Sequence, residues 1–321
     1  MNTILVTGGA GFIGSHVCEA LLARGERVVA LDSFDSFYDP AIKRRNLEAC
    51  RAHRNFQLVE GDIRDAAAVD RLFAAHRPET IIHLAARAGV RPSIEQPLLY
   101  QEVNVHGTAI LLEAARRQAA RRFVFASSSS VYGNNTKVPF SESDNVDHPI
   151  SPYAATKKAG ELLCHTYHHL YGLDITCLRF FTAYGPRQRP DLAIHKFARL
   201  IEAGRSIPFF GDGSTRRDYT YIADIVDGVL RAADRCKGYH IYNLGESEPV
   251  SLRELVAALE RALGRQAVLE RLPPQPGDVS QTYADIARAR AELGYKPSTR
   301  LEVGLARFVA WLREVEPCGP S

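Results

Sequence analysis

The sequence predicts an α/β protein built on a doubly wound parallel β-sheet, with a smaller C-terminal lobe. Through the first half of the chain, short apolar runs rich in β-branched residues alternate with amphipathic helical patterns. Such alternation indicates right-handed βαβ units, which place their strands in one parallel sheet. The strand runs are nearly continuous hydrophobic segments, as a sheet covered by helices on both faces requires.

The individual elements follow from this periodicity. In the first half we predict strands at Thr3–Thr7, Arg27–Leu31, Phe56–Glu60, Thr80–Leu84, Arg122–Ala126 and Asp174–Phe181. The helices between them are predicted near Phe12–Ala23, Ala66–Ala75, Leu98–Gln118 and Tyr153–Tyr171. After about Gly185 the pattern changes, and helices are predicted near Ile194–Ala203, Leu252–Leu263, Ile286–Leu293 and Glu302–Leu312. A strand near Gly238–Leu244 is expected to return to the sheet.

Composition narrows the class of protein. Basic residues number 40 and acidic residues 37, a balance that gives no electrostatic case for a nucleic-acid partner. The six cysteines form no CxxC motif and the eleven histidines show no metal-ligand spacing, so we expect no metal site. The chain opens directly into a strand and contains no apolar run of membrane-spanning length. We therefore expect a cytoplasmic protein with no membrane partner.

A glycine-rich loop joins the first strand to the first helix. In ILVTGGAGFIGSHV, the residues Gly8, Gly11 and Gly14 allow a tight turn, a close backbone approach to a pyrophosphate and close packing of helix on strand. Phe12 and Ile13 begin the helix, whose N-terminus offers free N–H groups to phosphates. Three glycines alone also fit a plain tight turn, but a strand before and a helix after predict a Rossmann-type dinucleotide site.

Residues after the next strands support a dinucleotide. Asp32 follows the second strand, where a carboxylate binds ribose hydroxyls and repels the additional phosphate of NADP, so the predicted cofactor is NAD. Each segment that follows a strand could by itself be an ordinary strand–loop connection. Three such segments in succession favour a bound cofactor. The cofactor-lining residues predicted after the third and fourth strands are Asp62, Ile63, Leu84, Ala85 and Ala86.

A tyrosine and a lysine four residues apart form the predicted catalytic group. In the segment YAATK, Tyr153 and Lys157 lie on one face of a helix. A tyrosine ionises near pH ~10, and a nearby ammonium together with a positive nicotinamide ring is expected to lower that pKa. Ser128, at the end of the fifth strand, is predicted to hydrogen-bond the reacting hydroxyl while Tyr153 removes its proton and NAD⁺ takes the hydride.

These motifs carry a family resemblance over essentially the whole chain. TGGAGFIG, SSSSVYG, YAATK and RRDYTYIAD resemble the extended short-chain dehydrogenase/reductase family, also called the NAD-dependent epimerase/dehydratase family, whose members act on nucleotide sugars. Within it, SFYDP, AGVRPS, RFFTAYGPRQRPDLA and PQPGDV most resemble the UDP-glucuronate 4-epimerases. The resemblance implies an isomerase that interconverts UDP-glucuronate and UDP-galacturonate through a 4-keto sugar, with NAD⁺ regenerated.

The resemblance also implies a division of the chain and part of the substrate site. Residues 1–186, joined by 219–249, are expected to form the NAD-binding Rossmann domain, and 187–218 with 250–321 the nucleotide-sugar lobe. Arg217 matches the family's diphosphate-binding arginine, and Asp278 matches the acid that holds the uridine ribose. Ile207–Phe209 matches the stretch that lines the uracil. The long helices of the family pair across a two-fold axis, which implies a homodimer, although burial within one chain competes as an explanation.

A uronate substrate needs groups that hold its carboxylate, because the 4-keto intermediate is a β-keto acid that tends to lose carbon dioxide. Hydroxyl donors and an arginine suit this task. UDP-galactose 4-epimerases that resemble this chain usually carry Asn at position 182, where this chain has threonine. Arg187 and Arg91 are alternatives to Arg189, which in turn could be a solvated loop charge. The candidates that the family pattern implies are Ser129, Ser130, Thr182 and Arg189, with Arg91.

Other functions remain open at this point. The 4,6-dehydratases of the superfamily carry an Asp-Glu pair, and the uronate decarboxylases a Glu, where this chain has Ser129 and Ser130, so elimination lacks its acid and base. A UDP-glucose 4-epimerase, a UDP-glucuronate decarboxylase and a non-catalytic NAD-binding sensor are the alternatives. We further expect that Lys43-Arg44-Arg45 is a solvated helix face and that His83 is a hydrogen-bonded strand-end residue.

Overall fold

The structure is a computed structural model that describes residues 2–273 and 280–316. Its strands are β1 Thr3–Thr7, β2 Arg27–Asp32, β3 Phe56–Glu60, β4 Thr80–His83, β5 Arg122–Ser128, β6 Asp174–Phe180, β7 Thr182–Tyr184, β8 Ser206–Phe210, β9 Arg216–Tyr221, β10 Tyr239–Leu244, β11 Pro249–Ser251 and β12 Val268–Leu272. Its helices are α1 Phe12–Ala23, α2 Pro40–Asn46, α3 Glu48–Arg51, α4 Ala66–His76, α5 Val90–Glu95, α6 Pro97–Gln101, α7 Gly107–Arg117, α8 Pro152–Tyr171, α9 Ala193–Glu202, α10 Ile222–Asp234, α11 Leu252–Leu263, α12 Ala287–Leu293 and α13 Leu301–Val315.

A seven-stranded parallel sheet forms the centre of the fold, in the order β10-β6-β5-β4-β1-β2-β3. The predicted doubly wound sheet is therefore confirmed, and the strand predicted near Gly238–Leu244 lies at its edge as β10. The strand order reverses between β1 and β4. In open α/β sheets, ligands bind outside the carboxyl ends of the strands at such a reversal.

Alternate residues of the strands face two separate cores. On β1, Ile4 and Val6 pack into one core with α1 and α10, whereas Leu5 faces the other core with α4, α7 and α8. A strand turns successive side chains to opposite faces, so a strand covered on both sides is apolar throughout. This explains why the strand segments read as continuous hydrophobic runs.

Two small sheets lie outside the large one, one of β11-β9-β7 and one of β12-β8. They belong mainly to the part of the chain in which a nucleotide-sugar lobe is predicted, and the exact division into lobes stays a prediction. Within the described ranges, no helix has the length and apolar character that crossing a membrane requires.

The single helix predicted over Leu98–Gln118 is wrong in one respect. The structure divides it into α6 and α7, with a π-helical turn at Glu102–His106 between them. The turn contains Asn104, which is buried and hydrogen-bonded to two other segments of the chain. A π-turn inserted into an α-helix is frequent at functional sites, and residue periodicity alone does not reveal one.

A buried ion pair joins the sheet to helix α8. The Arg179 side chain donates from Nε and Nη2 to the two carboxylate oxygens of Glu161, at 2.8 Å each, and both side chains are 1% exposed. The Ser127 hydroxyl donates to the same carboxylate at 2.6 Å. The pair therefore connects β6, α8 and the end of β5.

We expect Glu161→Gln to lower the free energy of unfolding by about 3–5 kcal/mol, because it leaves the Arg179 charge buried without a compensating carboxylate. Urea unfolding at fixed pH measures the loss. Glu113→Gln is the matched control, since Glu113 pairs with Arg116 at the surface with 36% of its side chain exposed. That variant is expected to lose at most about 1 kcal/mol. Equal losses in the two variants would contradict the structural role of the buried pair.

Candidate active site in the dinucleotide cleft

One cleft of about 410 Å³ runs along the carboxyl edge of the large sheet, at the reversal of strand order. It brings together most of the residues that the sequence predicts for the site, although these come from distant parts of the chain. The predicted residues that line it are Gly8, Gly11, Phe12, Ile13, Gly14, Asp32, Asp62, Ile63, Leu84, Ala85, Ala86, Ser128, Ser129, Ser130, Tyr153, Lys157, Thr182 and Arg189.

The glycine loop has the shape that a pyrophosphate needs. A Cβ atom at Gly14 would lie 2.1 Å from the carbonyl oxygen of Gly8, and one at Gly8 would lie 2.8 Å from the backbone nitrogen of Ala85. Gly11 is the N-cap of α1, where no side chain accepts from the first N–H groups and no acidic residue occupies the first turn. No side chain therefore competes with an anion for these N–H groups, so the loop fits the pyrophosphate of NAD.

Asp32 is held by backbone groups at the end of β2. Its carboxylate accepts hydrogen bonds from the N–H groups of Ala10 at 3.0 Å and Phe34 at 2.9 Å. Burial raises the pKa of Asp32, and the hydrogen bond from Phe34 and the charge of Lys43 oppose this rise. The carboxylate is held in one position at the cleft, and its binding of a ribose diol stays a prediction.

The position of Lys43 corrects the prediction that the run Lys43-Arg44-Arg45 is a solvated helix face. The Lys43 side chain is 7% exposed and lines the cleft beside Asp32. Its ammonium donates to the carbonyl oxygen of Asp35 at 2.7 Å and lies 4.7 Å from the centre of the Tyr38 ring. The run KRR does not reveal this buried position, because the neighbouring Arg44 does lie at the surface, where it pairs with Glu60.

The other residues predicted to bind the cofactor line the same cleft. Ile63 is buried, and Asp62 is bound by the guanidinium of Arg64 at 2.6 Å, which holds the pKa of that carboxyl below its usual range. The backbone N–H of Ala85 donates to the hydroxyl of Thr7 at 3.2 Å, which keeps this small residue close to the sheet edge.

Helix α8 carries the tyrosine and lysine into the cleft. Ser151 caps the helix by accepting from the N–H of Ala154 at 3.1 Å, and Pro152 begins it. Tyr153 therefore lies in the first turn. Lys157 is 4% exposed, and its Nζ donates to the carbonyl oxygen of Ala126 at 2.7 Å and lies 6.0 Å from the centre of the Tyr153 ring. The chain thus holds the ammonium beneath the phenol and against β5.

Burial governs the acid–base properties of this pair. It raises the pKa of Tyr153, while hydrogen bonding with Ser128 and the charge of Arg189 oppose that rise. Burial also lowers the pKa of Lys157 to about 8. An amine with this pKa is still mostly protonated at neutral pH, so the role of Lys157 as a cation that favours the phenolate stays a prediction. Arg189 is a second positive group that favours the phenolate.

The serine cluster forms a tight 3-10 turn at Ser129–Tyr132, directly after β5. The Ser128 hydroxyl accepts from the N–H of Ser130 at 3.1 Å and donates to its hydroxyl at 3.1 Å. These bonds fix Ser128 at the strand end that faces Tyr153. Ser128 and Tyr153 both line the cleft, and the predicted hydrogen bond from Ser128 to a substrate hydroxyl stays a prediction.

Asn104 is a residue that the sequence reasoning missed. Its amide donates to the carbonyl oxygen of Arg87 and to the hydroxyl of Thr156, both at 3.0 Å, and its oxygen accepts from the N–H of Arg87 at 2.8 Å. Thr156 directly precedes Lys157, so Asn104 connects the loop after β4 to the catalytic helix. The asparagine between two valines in the segment YQEVNVHG was the available signal.

His83 behaves as predicted. Its Nδ1 lies 2.7 Å from the hydroxyl of Thr7 and its Nε2 lies 2.9 Å from that of Thr108. Burial, followed by the charge of Lys157, lowers its pKa to about 3. A neutral histidine with both nitrogens hydrogen-bonded is a structural residue, and among the described residues no group of histidine, cysteine and carboxylate side chains is arranged to hold a metal ion.

Arg189 lies inside the cleft and is not a solvated charge. Its side chain is 16% exposed and makes a bidentate pair with Asp191, at 2.9 and 2.8 Å. Arg187 does not replace it, because Arg187 pairs with Glu19 on α1 at 2.6 Å. Thr182 begins β7 on the same side of the cleft.

Two predicted substrate residues, Arg91 and Arg217, are not among the residues that line the cleft. The Arg91 guanidinium lies 5.7 Å from the centre of the Phe210 ring, next to the stretch Ile207–Phe209 that is predicted to line the uracil. Arg217 lies on β9 and donates to the carbonyl oxygen of Arg216 at 2.9 Å. Asp278 lies outside the described residues. The Ile207 and Phe209 side chains are themselves buried, at 0% and 3% exposure.

The fold and the site together define a short-chain dehydrogenase-type enzyme, with a glycine loop for NAD and a Ser-Tyr-Lys group on the same cleft. Comparison with known proteins agrees. The family model described as GDP-mannose 4,6 dehydratase matches residues 5–308. The chain therefore belongs to the extended short-chain dehydrogenase/reductase family, the NAD-dependent epimerase/dehydratases.

Individual relatives and solved structures show which members of the family this chain resembles. UDP-glucuronate 4-epimerase 1 of Arabidopsis thaliana is 48% identical over 330 residues, covering 96% of this chain and 76% of that protein. The crystal structure of UDP-glucuronic acid 4-epimerase from Bacillus cereus, with UDP-glucuronic acid and NAD, has a TM-score of 0.92 at 36% identity and covers 98% of this chain and 99% of that chain. UDP-glucose 4-epimerase of Thermotoga maritima, with UDP-glucose, has a TM-score of 0.90 at 35% identity, with the same coverage.

We expect Arg189→Ala to raise the pKa of Tyr153, because a positive guanidinium favours the phenolate and its removal favours the neutral phenol. The pH at which this tyrosine ionises then moves upward. Tyrosinate absorbance against pH, taken as the difference between each protein and the same protein with Tyr153→Phe added, isolates this phenol. Arg187→Ala is the control and leaves the midpoint in place. An unchanged midpoint in Arg189→Ala would contradict the electrostatic coupling.

Proposed function

We propose that the chain is an NAD-dependent UDP-sugar 4-epimerase that interconverts UDP-glucuronate and UDP-galacturonate. The observation that carries the proposal is the composition of one cleft. The cleft contains a glycine loop shaped for a dinucleotide, the Ser128–Tyr153–Lys157 group and the largely buried side chain of Arg189. The relatives named UDP-glucuronate 4-epimerase support the same assignment.

The reaction needs a base, a hydrogen-bonding partner and a place for the hydride. Tyr153 as phenolate takes the proton of the carbon-4 hydroxyl, and Ser128 hydrogen-bonds the same oxygen. Lys157, fixed by Ala126, supplies positive charge below the phenol. Bound NAD supplies the acceptor that takes the carbon-4 hydride and gives it back. After the flat 4-keto sugar turns over, Tyr153 returns the proton and the configuration is inverted.

The carboxylate of a uronate must be held while the 4-keto sugar exists. Carbon dioxide leaves only when the bond to the carboxylate aligns with the π system of the ketone. Arg189 and Thr182 face the cleft together with the hydroxyls of Ser129 and Ser130. We propose that these groups hold the carboxylate away from that alignment. No carboxylate among the residues that line the cleft stands at the serine turn, so the acid–base pair for elimination is missing there.

The nucleotide end is proposed from the family pattern. Arg217 and Asp278 are assigned to the diphosphate and the uridine ribose, and Ile207–Phe209 to the uracil. Arg91 lies against Phe210, beside that stretch. We likewise propose the division into an NAD-binding domain of residues 1–186 with 219–249 and a nucleotide-sugar lobe.

We also propose a homodimer in the reducing cytoplasm. The apolar side chains Leu162, Leu170 and Tyr171 of α8 are 56%, 59% and 51% exposed, which suits pairing of this helix across a two-fold axis. Light scattering measures the assembly. All cysteines of the described ranges are buried free thiols, consistent with a reducing compartment.

Incubation of the purified protein with UDP-glucuronate, without an added electron acceptor and followed by proton NMR, tests the activity. We expect UDP-galacturonate without release of carbon dioxide. Tyr153→Phe is expected to lose the activity by at least about 100-fold, since it removes the proton acceptor, while the protein retains NAD. UDP-pentose and carbon dioxide would instead establish a decarboxylase. No conversion of any UDP-sugar by protein that holds NAD would favour the sensor.

A 4-epimerase of neutral sugars is the second candidate, and Arg189 separates the two. We expect Arg189→Ala to lower kcat/KM for UDP-glucuronate by roughly 10- to 100-fold, because a charge-assisted bidentate contact contributes about 1.5–3 kcal/mol. Turnover of UDP-glucose is expected to fall less, because it loses only the effect of the Arg189 charge on the pKa of Tyr153, so the uronate-to-neutral ratio of kcat/KM falls. Arg187→Ala, on the same loop but paired with Glu19, is the control. Equal losses for the two sugars would remove the carboxylate role of Arg189.

A further inference from the structure

The loop of residues 33–39, here called the cap loop, connects the cofactor end of the cleft to the predicted carboxylate site. It begins directly after Asp32 and ends where α2 begins. Asp35 fixes it, since its side chain accepts from the N–H of Phe37 at 2.8 Å and from the guanidinium of Arg87. Its carbonyl oxygen accepts from the ammonium of Lys43 at 2.7 Å.

Phe37 is the point of this loop that reaches the substrate side. The Cζ atom of Arg87 lies 4.8 Å from the centre of the Phe37 ring, and that of Arg189 lies 5.2 Å from it. All three side chains line the cleft. One aromatic ring therefore contacts two guanidinium groups, within the distance at which a ring attracts a cation. Arg87 is in turn anchored by its ion pair with Asp35 and by backbone bonds to Asn104.

Arg189 also pairs with Asp191, whose carboxylate the carboxylate of a uronate would displace. Asp191 offers Arg189 a carboxylate in bidentate geometry, and 41% of the Asp191 side chain is exposed. A substrate carboxylate presents the same chemical group and competes for the same N–H donors. When Arg189 changes partner, its contact with Asp191 is lost, whereas its contact with the Phe37 ring uses a different surface of the guanidinium.

We propose that Phe37 is a specificity-determining positioning residue, whose ring holds the Arg189 guanidinium in place for the carboxylate of a uronate sugar. This rests on the proposed function, since it assigns the same Arg189 to the substrate. The ring does not touch the reacting carbon in this scheme. It lowers the cost of exchanging Asp191 for the substrate, because Arg189 stays in the cleft during the exchange.

The proposal makes the effect of Phe37 depend on the charge of the substrate. A neutral sugar makes no ion pair with Arg189, so its turnover depends less on the position of the guanidinium than the turnover of a uronate does. Substitution of the ring should therefore change the ratio of kcat/KM for the two sugars, whereas a general structural defect would lower both together.

The test compares Phe37→Leu with Phe37→Tyr. The leucine keeps an apolar side chain but removes the aromatic face, and the tyrosine keeps that face. We expect Phe37→Leu to lower the uronate-to-neutral ratio of kcat/KM by roughly 3- to 30-fold, the range that corresponds to a cation–π contact. Phe37→Tyr is expected to restore at least most of the ratio, and NAD content is expected to stay constant.

Phe34→Leu is the matched control on the same loop. The Phe34 ring contacts the guanidinium of Arg44 at 4.4 Å, and Arg44 pairs with Glu60 at the surface. This variant is expected to leave the ratio unchanged. Where a neutral sugar is turned over too slowly, competitive binding of UDP-glucuronate and UDP-glucose, measured by calorimetry, replaces the kinetic ratio.

The outcomes separate this proposal from the one on which it rests. If wild-type protein prefers uronate and Arg189→Ala loses that preference, but Phe37→Leu keeps it, the positioning role is wrong and the proposed function stands. If wild-type protein has no preference for the uronate, the carboxylate assignment itself fails. Equal loss with both sugars in Phe37→Leu, without rescue by tyrosine, would reduce Phe37 to a packing residue.

Discussion

The buried pair between Glu161 and Arg179 is the interaction on which the catalytic geometry depends. Ser128 comes from the end of β5, and Tyr153 and Lys157 come from α8. The pair connects α8 to β6. The Ser127 hydroxyl, near the end of β5, donates a hydrogen bond to the same carboxylate. In a low-dielectric interior each charge needs its partner, so neither element can shift without exposing an uncompensated ion. Such a contact favours one geometry over several similar ones.

Burial of the active site determines its charge state as well as its shape. It disfavours both the phenolate of Tyr153 and the ammonium of Lys157. A phenol whose pKa is raised is seldom ionised near neutral pH, so the site needs positive charge close to it to populate the phenolate. Arg189 supplies part of this charge from the substrate side. The residue proposed to bind the carboxylate therefore also belongs to the electrostatics of proton transfer, which connects specificity to the chemical step.

Features determined by local pattern were predictable, and features determined by contacts between segments were not. The strands of the large sheet were predicted to within two residues at each end, because most are short, largely apolar runs rich in β-branched and aromatic residues. The glycine loop and the YxxxK spacing were also readable, since backbone shape and helical repeat require those residues. Lys43 and Asn104 were missed, because neither a run of charged residues nor a polar residue within a helical pattern shows which distant segments it will contact in the folded chain. The Phe37 contact with two arginines likewise exists only in the folded chain.

The serine turn shows how a site can be selective through the groups that it lacks. Under the proposed function the 4-keto uronate is reactive toward loss of carbon dioxide and, in related enzymes, toward elimination. The Ser128 hydroxyl is hydrogen-bonded to Ser130 within the turn, and Ser129 and Ser130 line the cleft as neutral hydrogen-bonding groups. A carboxylate at these positions would offer a base to the adjacent carbons. Hydroxyls cannot do so near neutral pH, so they bind the substrate without opening the competing reaction.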